Sequence, residues 1–255
     1  MSNPYRQDTV NEDLTLTQNV KGLTYGTDAY LLAAYMSELR VGTAVEFGGG
    51  TGIISLLTAI KRRAEKIICC EIQSDFCRLI DENATANSLS DRVSSLACDV
   101  RELRPATLGF EADAVFTNPP YMKVESGKRN EADEKYIARH EVCGTIYDFC
   151  AAARRILKFG GKFYCVWRPD RLADLMDAMR QNQLEPKRMT FVHADTATPP
   201  SMVLIEAKKG AAPSLILTKP LILYTAPADG TAKRIYTEDA ARIYETCSFS
   251  QFFQQ

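Results

Sequence analysis

Residues 118 to 121 read Asn-Pro-Pro-Tyr and follow an apolar run, Ala114 to Phe116, with the composition of a short buried strand. Neither Pro119 nor Pro120 can donate a backbone hydrogen bond, and each holds φ near one value. The strand must therefore stop in a stiff, extended loop. Such a loop presents fixed acceptors, the Asn118 side-chain oxygen and the Pro119 carbonyl, with the flat ring of Tyr121 beside them. Two acceptors and a stacking platform suit a planar substrate that carries an NH2 group. A proline-rich turn with a core tyrosine is the plainer reading of the same four residues. Their surroundings decide.

Thr43 to Phe47 predicts a strand, Gly48-Gly49-Gly50-Thr51-Gly52 follows, and Ile53 to Ile60 predicts an apolar helix. Glycines between a strand and a helix let backbone approach a ligand closely at a helix N-terminus. The spacing of Gly48, Gly50 and Gly52 is tighter than the dinucleotide pattern, and Glu46 stands two residues before the first glycine. That acid suggests a pocket for a nucleoside joined to an amino acid, whose ammonium group needs a negative partner. Glu71 ends the strand Lys66 to Cys70, about 20 residues beyond the glycines, where an acid grips ribose hydroxyls in such folds. Asp99 follows the strand Val93 to Ala97, placed to accept a hydrogen bond from an adenine amine. The bland alternatives are a glycine turn without a ligand, a solvated Glu71 and an Asx turn at Asp99.

The elements that must position these residues alternate between strand and helix, which predicts a mainly parallel sheet with ligands at the strand C-termini. Gln18 to Met36 reads as a loop leading to a helix that Thr27 or Asp28 can cap, and Ser74 caps a helix running to about Asn87. Thr145 to Leu157 predicts a helix stopped by Gly160-Gly161, with a strand over Lys162 to Trp167. Arg168-Pro169-Asp170-Arg171 leads to a helix with Leu172, Leu175 and Met179 on one face. Lys187 to His193 and Met202 to Ala207 supply two more strands, and Leu215 to Tyr224 with Glu238 to Glu245 forms a small tail. Met122 to His140 is long and charged, readable as a lid beside the tetrapeptide or as a solvated loop. His140, alone near a helix start, reads as a capping or hydrogen-bonding residue rather than a base.

A net charge of −1 over 255 residues does not announce a nucleic-acid partner, which would need a local basic face. No apolar run reaches the length of a membrane span, and Met1 to Val20 is too polar for a secretory signal. The eight cysteines are scattered with no C-x-x-C pair, which favours reduced thiols in a cytosolic protein over disulfides or a zinc site.

The order Glu46 to Gly52, Glu71, Asp99, then Asn118 to Tyr121 resembles class I S-adenosylmethionine-dependent methyltransferases. The Asn-Pro-Pro-Tyr signature narrows the resemblance to enzymes that methylate a planar amine or amide nitrogen. The fuller pattern is similar to the bacterial valine-tRNA adenine-N6-methyltransferase family, on Tyr25-Gly26-Thr27-Asp28-Ala29, Ala138-Arg139-His140-Glu141 and Arg168 to Leu172, with a softer match at Leu184 to Arg188. The likeness spans about Thr17 to Ala207 and leaves the tail uncovered; Glu46 stands where many relatives have aspartate, and Gly49 is an extra glycine.

The resemblance implies an α/β, Rossmann-like class I methyltransferase fold, with a mainly parallel seven-stranded sheet and helices on both faces. It implies one domain over residues 1–255, with a short extension at 1–42 and a tail at 211–255. The cofactor would be S-adenosyl-L-methionine, bound by Thr27, Asp28, Glu46, Gly48, Gly50, Gly52, Glu71, Asp99 and Asn118. Thr27 and Asp28 would lie near its methionine end. Asn118, Pro119, Pro120 and Tyr121 would be catalytic. The substrate would be an adenine in a tRNA loop, with candidate backbone contacts at Lys123, Lys128, Arg129, Arg168 and Arg171. A cytoplasmic monomer with no metal and no membrane association is expected.

Four rivals remain at this point. A protein-glutamine N5-methyltransferase would offer an amide to the same acceptors, but its relatives carry a sizeable helical domain before the glycines, where only the residues before Thr43 are available. A DNA adenine methyltransferase would carry a target-recognition insertion for which the chain has no obvious room. A guanine-N2 rRNA enzyme often has another residue in place of Tyr121. A non-catalytic RNA-binding module would not need an intact Asn118 and glycine loop.

Overall fold

The computed structural model describes residues 5–19, 26–119, 144–225 and 234–254. Seven strands form the body of one sheet, and the chain enters it at β3 (Val41–Phe47), the first of its parallel strands. From β3 the chain crosses through α2 (Ile53–Ile60) to β4 (Ala64–Glu71), then through α3 (Ser74–Ala86) to β5 (Val93–Ala97). It then returns to the other side of β3 as β6 (Ala112–Thr117) after the short α4 (Pro105–Leu108). Next come α5 (Ile146–Ile156), β7 (Leu157–Trp167), α6 (Leu172–Gln181), β8 (Leu184–His193) and β9 (Pro200–Lys209).

The spatial order is β5-β4-β3-β6-β7-β9-β8, with β9 alone running antiparallel between its two neighbours. The expected seven-stranded, mainly parallel sheet is thus present. Two short additions from the tail, β10 (Ile216–Leu217) and β11 (Leu221–Ile222), pair with the outer edge of β8. No described helix is long and apolar enough to cross a membrane.

The reversal of strand order beside β3 opens a crevice at the C-terminal ends of β3 and β6, the place where open α/β sheets bind ligands. Register makes the meeting specific. Phe47 pairs with Thr117, and Thr117 Oγ1 donates to the Phe47 carbonyl at 3.0 Å. Gly48 and Asn118 are each the next residue along, so the two motifs leave the sheet side by side.

Apolar residues cover both faces of the sheet. One face packs α1 (Thr27–Tyr35), α2 and α3 over Ala44, Ile67, Phe116 and Tyr164; the other packs α4, α5 and α6 over Val45, Val115, Phe163 and Ile205. The tail is part of the first core. Leu221, Leu223, Ile243, Phe249 and Phe252 are buried there, and the buried Arg63 guanidinium donates to the carbonyls of Ala33 and Cys247. The seven described cysteines are free thiols, six of them buried.

Several local expectations are corrected. The segment before residue 20 is a hairpin, β1 (Tyr5–Asn11) and β2 (Leu14–Asn19), so Gln18 lies in a strand and is buried. Asn83 of α3 and Asn87 at its C-cap, one turn apart, exchange amide hydrogen bonds with the backbone of Thr17 and Thr15 and hold β2 much as a neighbouring strand would. The N-cap of α1 is Gly26 and that of α3 is Gln73, neither with a side-chain cap bond, so Thr27, Asp28 and Ser74 stand inside the first turns. Helix α5 ends at Ile156 and passes directly into β7; Gly160 and Gly161 sit in a break of the β6–β7 register. A Cβ at Gly161 would stand 2.9 Å from the Lys158 carbonyl, so these glycines serve a bulge and not a helix stop.

Candidate active site

The glycine loop departs from β3 with φ of +68° at Gly48, +54° at Gly50 and +83° at Gly52, a region that side chains disfavour. The two faces of the loop differ. A Cβ at Gly49 would meet Ile80 Cδ1 at 3.0 Å and Cys69 Cβ at 3.1 Å, so this residue is pressed against the core. A Cβ at Gly48 or Gly50 would meet nothing within 4 Å. That open side is the candidate cradle for a ligand.

Glu71 ends β4 with its carboxylate buried and anchored: Oε2 accepts from Gly50 N at 3.1 Å and Oε1 from Gln73 N at 2.9 Å. These contacts use two of about four acceptor positions on the carboxylate. It is no solvated glutamate. Asp99 takes the Asx-turn form: Oδ1 accepts from Arg101 N at 2.9 Å, and the Arg101 guanidinium holds the carboxyl below its ordinary range.

Glu46 lies beneath the loop and not on its open side. Only 1 % exposed, its Oε2 accepts from Ser55 N at 3.2 Å and from the Ser55 hydroxyl, supporting the first turn of α2 from below. Burial pushes this carboxyl up to about 8 from an ordinary 4.5, against the pull of the Ser55 hydrogen bonds. Between those two values the folded chain keeps a proton that the unfolded chain releases, so stability falls as pH rises through that window and levels off above it. Glu46→Gln is expected to flatten this decline in urea midpoints measured from pH 5 to 8. An unchanged slope would mean that the carboxylate is ionised in the folded chain.

Asn118 follows β6, half-buried, with Pro119 buried behind it. Its Nδ2 donates to Asp28 Oδ2 at 3.0 Å, and Asp28 Oδ1 accepts from Ala29 N at 2.9 Å. A carboxylate can only accept, so Asp28 fixes which end of the amide is nitrogen and turns Oδ1 the other way. Sequence reasoning gave Asp28 to the cofactor alone; its role as the holder of Asn118 rests on two residues 90 apart in the chain, for which no sequence signal exists. Thr27 sits one residue before this contact, beside Tyr244 of the tail.

Four strand ends therefore present Asp99, Glu71, the glycine loop and Asn118 in a row. At the usual spacing of strands this row is about 14 Å long, room for a base, a sugar and a short charged chain. Arg168 and Arg171, expected at a nucleic-acid backbone, are each paired with an acid of their own turn, Asp170 and Asp174. Pro120, Tyr121, Tyr25, the charged stretch with Lys123, Lys128 and Arg129, and Ala138 to Glu141 lie outside the described residues. Among the described residues no three His, Cys, Asp or Glu side chains are grouped to hold a metal.

The profile of the methyltransferase small domain matches residues 21–183, from before Asn118's partner helix to the end of α6. The chain belongs to the methyltransferase small domain family. Relatives of this methyltransferase include a protein of Parabacteroides distasonis named tRNA1(Val) (adenine(37)-N6)-methyltransferase, 29 % identical over 210 residues, with 81 % of this chain and 84 % of the relative covered. A Porphyromonas gingivalis protein of the same name is 27 % identical over 187 residues, covering 71 % and 72 %. Among solved structures, a predicted O-methyltransferase of Agrobacterium tumefaciens superposes with a TM-score of 0.68 at 21 % identity, over 87 % of this chain and 97 % of the other. Pyrococcus horikoshii TYW2 in complex with MeSAdo gives 0.56 at 15 %, over 82 % and 73 %. These structures share the fold, and the methyl acceptor is read from the site.

Proposed function

We propose that the chain is a cytoplasmic, monomeric S-adenosylmethionine-dependent methyltransferase acting on the N6 amine of an adenine in tRNA. The observation that carries this reading is the Asn118–Asp28 hydrogen bond at the end of β6. It turns an amide oxygen away from Asp28 beside the cofactor cradle, as an acceptor for an N–H. The names of the relatives that align over most of the chain point to the same substrate.

The cradle fits the cofactor. Gly48 and Gly50 leave open space where side chains would stand, and Glu71 is already held in place by Gly50 N at the strand end. The assignment is Glu71 to the ribose hydroxyls, Asp99 to the adenine amine, Thr27 and Asp28 to the methionine end, and Glu46 to support of the loop. When bound, S-adenosylmethionine supplies an electrophilic methyl group on a sulfonium. An exocyclic adenine amine is a poor nucleophile because its lone pair is delocalised into the ring. Asn118 Oδ1 and the Pro119 carbonyl accept its two hydrogens and orient the lone pair toward the methyl, so positioning is the main catalytic contribution. The alkylated nitrogen is acidic and loses its proton without a dedicated base. The base must leave its stack to arrive there, at less cost from a single-stranded loop.

The test is methyl transfer to bulk tRNA lacking native modification, with products read as nucleosides by mass spectrometry. N6-methyladenosine is the expected product. Label entering protein instead would replace this reading with the glutamine-amide one.

A further inference from the structure

Asp28 orients Asn118, so whatever fixes Asp28 bears on the reaction. Asp28 stands in the first turn of α1, whose N-cap Gly26 makes no side-chain cap bond. A Cβ on Gly26 would come within 2.5 Å of Asp28 Oδ1, so the carboxylate folds back over the start of its own helix. A small displacement of that turn therefore moves the oxygen to which Asn118 Nδ2 donates.

The ties on this turn come from the far end of the chain. The tail carries α7 (Glu238–Thr246) and α8 (Ser250–Phe253), beyond the residues 21–183 that the family profile matches. Tyr30, two residues after Asp28, donates its hydroxyl to the Tyr244 carbonyl at 2.7 Å. That carbonyl lies in the last turn of α7, where no intrahelical partner remains for it. The two rings also stack, with centroids 5.1 Å apart at 25°. The Tyr244 hydroxyl in turn meets the Thr27 side chain, next to Asp28 itself. On its outer face Tyr244 is backed by Tyr236, 4.8 Å away, and Tyr236 by Tyr224 at 5.1 Å.

The match continues along the helix. The Arg63 guanidinium bridges the Ala33 and Cys247 carbonyls, Phe249 N donates to the Ala34 carbonyl at 3.3 Å, and the Tyr35 ring meets Phe249 edge-on at 5.3 Å. Phe249 and Phe252 are buried and hold the tail in the core whatever happens at Tyr30. Burial there asks only for apolar rings. The hydroxyls of Tyr30 and Tyr244 do something else: they fix where the first turn of α1 sits.

We propose that Tyr30 and Tyr244 are positioning residues for methyl transfer, holding Asp28 through the first turn of α1 and, through Asp28, the Asn118 oxygen. The proposal rests on the reading above of Asn118 as the acceptor for the target amine. Its effect has a ceiling. A clamp that acts only through Asp28 cannot cost more than losing Asp28, about tenfold.

The test measures single-turnover methyl transfer at saturating cofactor, on the unmodified tRNA that the wild type methylates. Tyr30→Phe, Tyr244→Ala and Tyr244→Phe are compared in the full chain, each alone and each combined with Asp28→Ala. Tyr30→Phe is expected to slow transfer about threefold, the effect of one neutral hydrogen bond. Tyr244→Ala is expected to approach the tenfold ceiling, and Tyr244→Phe to recover most of that loss by restoring the stack. In the Asp28→Ala background none of the three is expected to slow transfer further. A general loosening of the fold would instead multiply with Asp28→Ala, as independent sites do. Multiplying losses, or a Tyr30→Phe variant with the full wild-type rate, would overturn the clamp while leaving the methyltransferase reading intact. A wild type that methylates no RNA would remove both.

Discussion

Asn118→Ala is expected to lower methyl transfer on the order of 10²- to 10³-fold, the usual effect of losing one preorganised polar group at a reacting centre. Cofactor affinity is expected to stay within a few-fold of wild type. The asymmetry follows from geometry. Asn118 is held at the end of β6 by its bond to Asp28, and the proposed cradle is made by Gly48, Gly50 and Glu71 on the neighbouring strands. Removing the amide takes away an acceptor for the amine without touching the loop. Asp28→Ala serves as the companion variant. It leaves the amide in place but unheld, so the rate at saturating cofactor is expected to fall by about tenfold, the cost of one lost charge-assisted hydrogen bond. Single-turnover rates beside equilibrium cofactor binding check both. Equal loss of binding and rate in Asn118→Ala would place Asn118 in the cofactor site and not with the acceptor.

Gly50→Ala is expected to weaken cofactor binding by roughly 10- to 100-fold, the effect of about 1–3 kcal/mol of forced overpacking. The folded chain itself loses only the strain of a left-handed alanine, about 1–2 kcal/mol. A Cβ there meets no protein atom within 4 Å, so its clash is with whatever enters the cradle. Gly49→Ala gives the opposite pattern. Its Cβ presses on Ile80 and Cys69 in the core, so stability falls first and binding follows. Calorimetric titration with S-adenosylmethionine beside thermal melts separates the two. Gly50→Ala binding as wild type would move the ligand off this face of the loop.

Much of the architecture was legible because its signals are local. The helix over Ile53–Ile60 and the strand over Val93–Ala97 fall where composition and flanking turns put them, and the alternation of elements implies a parallel sheet. The N-terminal hairpin was missed although Leu14, Leu16 and Gln18 alternate inward along β2. Four polar residues in that stretch masked the period. The burial of the tail is not legible in the sequence because its buried residues, Leu221 to Phe252, lie mostly in or beside elements of two to four residues, with only Glu238–Thr246 long enough to show a period.

The sequence by itself determined the chemistry available: a glycine loop after a strand, acids at two further strand ends, and an amide followed by prolines. Residue type and spacing suffice there, because backbone freedom at glycine and the missing N–H of proline are properties of single residues. Only the tertiary structure decided how those groups are used. It put Glu46 under the loop against Ser55, aimed the Asn118 amide through Asp28, and stacked Tyr30 of α1 on tyrosines of the tail. Each of these is a contact between residues distant in the chain, fixed by strand order and register, and a linear pattern carries no record of either.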